Sequence, residues 1–83
     1  MIFMNIDTLQ TAEKLTKVCD RYRDNMCIDV EHGRYTVDGC SVLGVFSLSG
    51  NIVKVVPNTD DPDILNAFVK EIKDIGGWTI SKK

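Results

Sequence analysis

The chain has 83 residues, of which 43% are hydrophobic and 27% charged, and its formal net charge at pH 7 is −2. This length supports one domain with a modest core, and the charge balance provides no basic footprint for a nucleic-acid partner. No apolar stretch has the length of a membrane helix and the N-terminus lacks the basic start of a signal peptide, so we expect a cytoplasmic protein with no membrane insertion.

The first half of the chain predicts a strand, a helix and a hairpin. Apolar side chains occupy alternate positions of residues 2–6, as in a β-strand. Residues 9–23 repeat apolar side chains every three or four positions, which is typical of an amphipathic helix. Residues 26–37 alternate again around His32-Gly33 and predict a β-hairpin.

The second half predicts two helices with a strand between them. Residues 40–48 suit either a strand or a short helix, and residues 52–56 form a strand. Residues 60–63 are a strong helix start, because acidic side chains favour the positive end of the helix dipole and proline fits the first helical position. That helix ends at Gly76-Gly77.

The order β-α-β-β-(short α)-β-α predicts the α+β class. Each long helix has an apolar stripe that must be buried. The simplest arrangement packs both on one face of a four-stranded antiparallel sheet, which is an open-faced β-sandwich. Residues 1–78 then form a single domain, and residues 79–83 form a C-terminal tail.

No arrangement of residues predicts catalysis or a metal site. The single histidine, His32, lies in a predicted turn with no nucleophile placed for it to activate. The carboxylates of residues 60–63 are explained by helix capping. Cys19, Cys27 and Cys40 form neither a disulfide framework nor a metal-binding pair. We therefore expect no enzyme activity, no cofactor and no metal.

Residues 41–48 are the part of the sequence that indicates a function. Residues 42–46 contain four closely spaced apolar side chains: Val42, Leu43, Val45 and Phe46. A short helix cannot bury all four, so some are expected to be exposed and to meet a partner, unless the whole segment is core. Ser41 suits the cap of such a helix, and a phosphate on it would place negative charge beside the apolar residues.

Residues 39–48, which read Gly-Cys-Ser-Val-Leu-Gly-Val-Phe-Ser-Leu, resemble the regulatory-serine segment of HPr. HPr is the histidine phosphocarrier of the bacterial phosphoenolpyruvate-dependent sugar phosphotransferase system, and the family commonly reads Lys-Ser-Ile-Met-Gly-Val-Met-Ser-Leu there. The element order is also similar, so the resemblance covers about residues 1–76. It implies an HPr-like open-faced β-sandwich with the order βαββαβα.

The resemblance implies roles for four residues. Ser41 falls on the serine that the regulatory kinase phosphorylates in Gram-positive members of the family. Val42, Leu43 and Phe46 fall on the apolar surface that meets enzyme I, the kinase and regulators of sugar metabolism. We therefore expect a protein partner of one of these kinds.

The histidine position departs from the family. Counting back from Ser41 without a gap places it at Gln10, and the arginine and proline that follow fall on Ala12 and Glu13. A glutamine amide is not a nucleophile, Ala12 has no charge, and Glu13 would repel phosphate. We therefore expect an HPr-like protein that cannot carry phosphohistidine and acts as a protein-binding or regulatory module.

Two other functions stay open. The first is a phosphate carrier that uses another residue near Gln10, such as Thr8 or Thr11, although phosphothreonine is a poor phosphoryl donor. Alternatively, the chain is a small ligand-binding or oligomerisation α+β sandwich domain unrelated to sugar transport, which a strand at residues 41–46 would favour. Asp7, Thr8 and Thr11 are also the three candidates for the cap of the first helix.

Overall fold

The computed structural model describes residues 1–80. Its elements are β1 (Ile2–Ile6), α1 (Leu9–Tyr22), β2 (Cys27–His32), β3 (Tyr35–Asp38), α2 (Val42–Phe46), β4 (Asn51–Asn58), α3 (Pro62–Asp74) and β5 (Trp78–Thr79). The predicted α+β class is confirmed. The segment that suited either a strand or a helix forms the helix α2.

One antiparallel sheet holds the strands in the order β3-β2-β4-β1-β5. Strand β4 is its centre, because it places Val53 opposite Met4 of β1 and Val55 opposite Val30 of β2. Strands β2 and β3 form the expected hairpin. Gly33 has a φ of 59° there, which suits the first central position of a type II′ turn.

The expectation of four strands followed by a tail is wrong, because β5 adds a fifth strand to the sheet. It pairs with β1, and the rings of Phe3 and Trp78 stack with their centroids 6.3 Å apart. Gly76 turns the chain back after α3 with a φ of 105°. A strand of two residues has no period, so the sequence pattern could not show it. Of the expected tail 79–83, residues 81–83 lie outside the described part.

The core lies between one face of the sheet and the two long helices. Its buried side chains come from alternate strand positions and from the inner stripes of α1 and α3: Ile2, Met4, Ile6, Ile28, Val30, Val53, Val55, Ala12, Leu15, Val18, Cys19, Phe68 and Ile72. The opposite face of the sheet is not covered by these helices. Among residues 1–80, no helix has the length and apolar character to cross a membrane.

A polar cluster joins α1 to α3 at the surface. Nε of Arg21 donates to Oε1 of Glu71 at 2.9 Å, and the hydroxyl of Tyr22 donates to Oε2 of the same carboxylate. The Tyr22 ring also packs edge-on against Phe68, with centroids 5.4 Å apart. The hydrogen bond from Tyr22, helped by Arg21, lowers the pKa of Glu71, and the same bond raises the pKa of Tyr22.

The Glu71→Gln variant is expected to lower the free energy of unfolding at neutral pH. Because folding lowers the pKa of Glu71, its stabilisation is complete above the ordinary value of 4.5 and is lost as the pH falls through the folded-state pKa. Folding raises the pKa of Tyr22. The stabilisation from its protonated hydroxyl is therefore complete below the ordinary value of 10.0 and is lost as the pH rises through the folded-state pKa.

Urea unfolding of the wild type and of Glu71→Gln checks this at pH 7 and at about pH 3, which lies below the ordinary value of 4.5 for the Glu71 carboxyl. The difference in unfolding free energy should shrink in acid. Asp74→Asn, an exposed carboxylate on the same helix, is the control. If the difference in unfolding free energy between the wild type and Glu71→Gln is the same at both pH values, the ionised Glu71 carboxylate does not stabilise the fold.

Candidate functional site

Ser41 caps α2. Its backbone is extended, with φ −101° and ψ 108°, and its Oγ accepts a hydrogen bond from the N–H of Gly44 at 3.2 Å. The N–H of Ser41 donates to the carbonyl of Asp38 at 3.0 Å, and Oδ1 of Asp38 accepts from the N–H of Cys40 at 2.9 Å. These bonds order the approach to the helix, so the cap predicted from the sequence holds the serine hydroxyl in place.

Gly44 allows this cap to close. A Cβ at this position would lie 3.2 Å from Oγ of Ser41 and 3.3 Å from Cβ of Val37. Both separations are shorter than ordinary van der Waals contact, so a larger residue would push α2 away from the hairpin. The glycine of this segment therefore has a packing role.

Helix α2 leaves part of its apolar surface exposed. Val45 is fully buried, and Leu48 just beyond the helix is also buried. Val42 is half-buried, whereas Leu43 and Phe46 are 77% and 37% exposed. We refer to Val42, Leu43 and Phe46 as the α2 patch. The alternative in which the whole segment is core is therefore wrong.

The α2 patch borders the polar face of α1. Val42 lines a shallow cavity of about 150 Å³ together with Glu13, Thr16 and Lys17. A second cavity of about 300 Å³ shares Glu13 and Lys17 with the first and continues along α1 to Gln10. The structure thus brings Gln10 and the α2 patch onto one continuous surface.

Three residues of this surface were missed by sequence reasoning: Lys14, Thr16 and Lys17. Their positions on the polar face of α1 indicated that they point away from the core. Nothing in the sequence indicated that this face lies beside α2, because that contact joins helices from different parts of the chain.

Gln10 is exposed at the second position of α1, whose cap is Thr8. Oγ1 of Thr8 accepts from the N–H of Thr11 at 3.2 Å. The hydroxyl of Thr11 donates to Oδ1 of Asp7 at 2.7 Å. The start of this helix therefore already holds a side-chain cap and a carboxylate, and a phosphate placed there would meet negative charge.

The two residues that the resemblance aligns with an arginine and a proline do not assist phosphate binding. Ala12 is fully buried in the core, so the position expected for an arginine faces the sheet. Glu13 is exposed, and its carboxylate offsets part of the positive charge of Lys14 and Lys17 in the cavity that contains Gln10. His32 ends β2 beside the hairpin turn. The start of α1 therefore has no side chain suited to accept a phosphoryl group as a histidine does.

The thiols of Cys19 and Cys40 favour their protonated forms. Cys19 is buried, and this burial raises its pKa to about 12. Burial also raises the pKa of Cys40, next to Ser41. Within the described range 1–80, no group of three or more histidine, cysteine, aspartate or glutamate side chains is arranged to hold a metal ion.

No protein-family model matches this chain, and no curated protein matches it in sequence. Its function is therefore inferred from the residues of the site. The resemblance of residues 39–48 to one family segment adds to that inference.

The Ser41→Ala variant is expected to lower the free energy of unfolding by about 0.5–2 kcal/mol, because the N–H of Gly44 loses its acceptor. Urea unfolding followed by circular dichroism measures the change. Ser49→Ala, at an exposed position beyond the helix, is the control and should change stability by less than about 0.5 kcal/mol. Equal effects of the two substitutions would show that the cap contributes nothing.

Proposed function

We propose that this chain is an HPr-like regulatory module that binds a protein through the α2 patch and does not carry phosphohistidine. The observation that carries the proposal is the exposure of Leu43 and Phe46 on a helix capped by Ser41. The partner is a protein of the sugar phosphotransferase system or of its regulation, such as enzyme I, a serine kinase or a regulator of sugar metabolism. The proposal assigns the chain to the cytoplasm, where those proteins act.

Two features favour this function over an unrelated α+β sandwich domain. Residues 42–46 are helical rather than extended. The order β-α-β-β-α-β-α through residue 74 is also the order that the resemblance implies. Both features support the proposal through the arrangement of the chain, while the choice of partner rests on the resemblance.

The absence of phosphotransfer follows from the chemistry at the start of α1. The amide of Gln10 is not a nucleophile, so it cannot accept a phosphoryl group as a histidine does. Protein binding depends instead on the α2 patch and on the face of α1 beside it. A protein that covers Val42 of the α2 patch also lies beside Lys17, which lines the same cavity.

The chain is expected to inhibit the phosphorylation of an authentic HPr by enzyme I and phosphoenolpyruvate. It would occupy the HPr-binding surface of enzyme I without accepting phosphate. Phe46→Asp is expected to weaken inhibition by about tenfold, because a carboxylate replaces an apolar side chain at the contact. Ile52→Asp makes the same kind of change at an exposed position on the opposite face of the sheet, and it should inhibit like the wild type.

The same reaction reports on phosphate transfer to the chain itself. We expect no acid-labile phosphate on it, and such a phosphate would contradict the loss of carrier function. An acid-stable phosphate on Thr8 or Thr11 would favour the threonine alternative. No inhibition by the wild type would exclude enzyme I as the partner.

Ser41 is also expected to be a substrate of the serine kinase of this system. A phosphate on its Oγ would place negative charge beside the α2 patch and alter binding there. Incubation with the kinase and ATP should add the mass of one phosphate to the wild type and none to Ser41→Ala. A wild-type chain that stays unmodified would contradict this assignment.

A further inference from the structure

Strand β3 forms one edge of the sheet, and among residues 1–80 no strand pairs with its outer side. An open edge presents backbone N–H and C=O groups on which another strand can form hydrogen bonds. Tyr35 at the start of this strand is 68% exposed. Which strand pairs with the edge depends on the groups that face outward and on their charges.

The alternation along β3 identifies the outward-facing groups. The N–H of Gly39 donates to the carbonyl of Ile28 at 2.9 Å, so these two residues are joined directly across the hairpin. In an antiparallel ladder, hydrogen-bonded pairs recur at every second position. The odd-numbered residues of β3 therefore bond to β2, and Thr36 and Asp38 direct their backbone groups outward.

At this edge, Thr36 offers both its backbone N–H and its backbone C=O to a partner strand. The carbonyl of Asp38 already accepts a hydrogen bond from Ser41, and Arg34 lies in the hairpin turn. The N–H and C=O of Thr36 project from the middle of the strand. A partner strand therefore centres on Thr36.

We propose that β3 pairs antiparallel with β3 of a second copy of this chain, about a twofold axis through Thr36. The two Thr36 residues exchange a pair of backbone hydrogen bonds. In this register Arg34 lies opposite Asp38 of the second copy, and Tyr35 lies opposite Val37. Opposite charges, an aromatic with a β-branched residue, and threonine with threonine are the cross-strand pairs that stabilise a sheet.

The charges of Asp38 in β3 and of Arg34 in the adjoining turn favour this register. An axis at Arg34 would set two guanidinium groups opposite each other, and an axis at Asp38 would set two carboxylates opposite each other; both arrangements are destabilising. An axis at Tyr35 or Val37 would leave Arg34 and Asp38 without opposite charges. Only the axis at Thr36 forms both ion pairs while it joins outward-facing backbone groups.

A proline at position 36 tests the backbone part of the proposal. Thr36→Pro removes the outward N–H and leaves the hydrogen bonds to β2, because edge strands tolerate proline when its missing N–H faces solvent. Sedimentation equilibrium should show a concentration-dependent dimer for the wild type and for Thr36→Val, which keeps the N–H. Thr36→Pro should weaken association by about tenfold, because both central hydrogen bonds are lost.

The charge pattern is tested separately with Arg34→Glu. This change sets like charges opposite each other at both ends of the pairing and should also weaken association. Arg34→Lys keeps the positive charge and is the matched control. Thermal unfolding of each variant shows whether it is folded.

A cysteine cross-link tests the position of the axis. Hydrogen-bonded antiparallel pairs bring Cα atoms to about 5.5 Å, which is within the range of a disulfide. With Cys27→Ser and Cys40→Ser in the background, Thr36→Cys should form a disulfide dimer in the presence of dissolved oxygen. Arg34→Cys should not, because its two copies would lie about 13 Å apart along the paired strands.

Three results would overturn the proposal. The first is a wild-type chain that is monomeric up to about 1 mM. The second is association of Thr36→Pro as tight as that of Thr36→Val, and the third is equal cross-linking through positions 34 and 36. If Thr36→Pro does not fold, Arg34→Glu and the cross-link decide. The association and cross-linking measurements are distinct from the inhibition assay, because they use no enzyme I and because neither Arg34 nor Thr36 belongs to the α2 patch.

Discussion

The rest of the structure depends on the position of β4 between β1 and β2. Strands β1 and β2 do not pair with each other, and β4 bonds to both, placing Val53 opposite Met4 and Val55 opposite Val30. The sheet is therefore complete only when a segment that begins at Asn51 reaches the first two strands. The buried faces of these three strands then form one apolar surface, which α1 and α3 cover.

The same constraint decides what α2 exposes. A short connection joins α2 to β4, and the N–H of Gly50 in that connection donates to the carbonyl of Ile6 at 2.6 Å. Helix α2 is thereby held against α1 and the hairpin, where it buries Val45 and leaves Leu43 and Phe46 at the surface. The α2 patch is thus a consequence of where β4 enters the sheet.

The start of α1 shows how binding and phosphotransfer depend on different residues. Phosphotransfer needs a nucleophile, and the amide of Gln10 does not supply one. Protein binding needs exposed apolar surface, and Leu43 and Phe46 supply it. In the proposed function, protein binding through the α2 patch therefore does not require phosphotransfer at α1.

Local signals predicted α1, the hairpin, α3 and the cap at Ser41, because helix periodicity, strand alternation and capping act over a few residues. The sequence by itself also determined that the start of α1 lacks an imidazole, since that depends on residue identity at Gln10. Only the tertiary structure decided the fifth strand, the exposure of Leu43 and Phe46, the contact of Val42 with α1, and the open edge at β3. Each of these depends on contacts between segments that are distant in the chain, which no local pattern specifies.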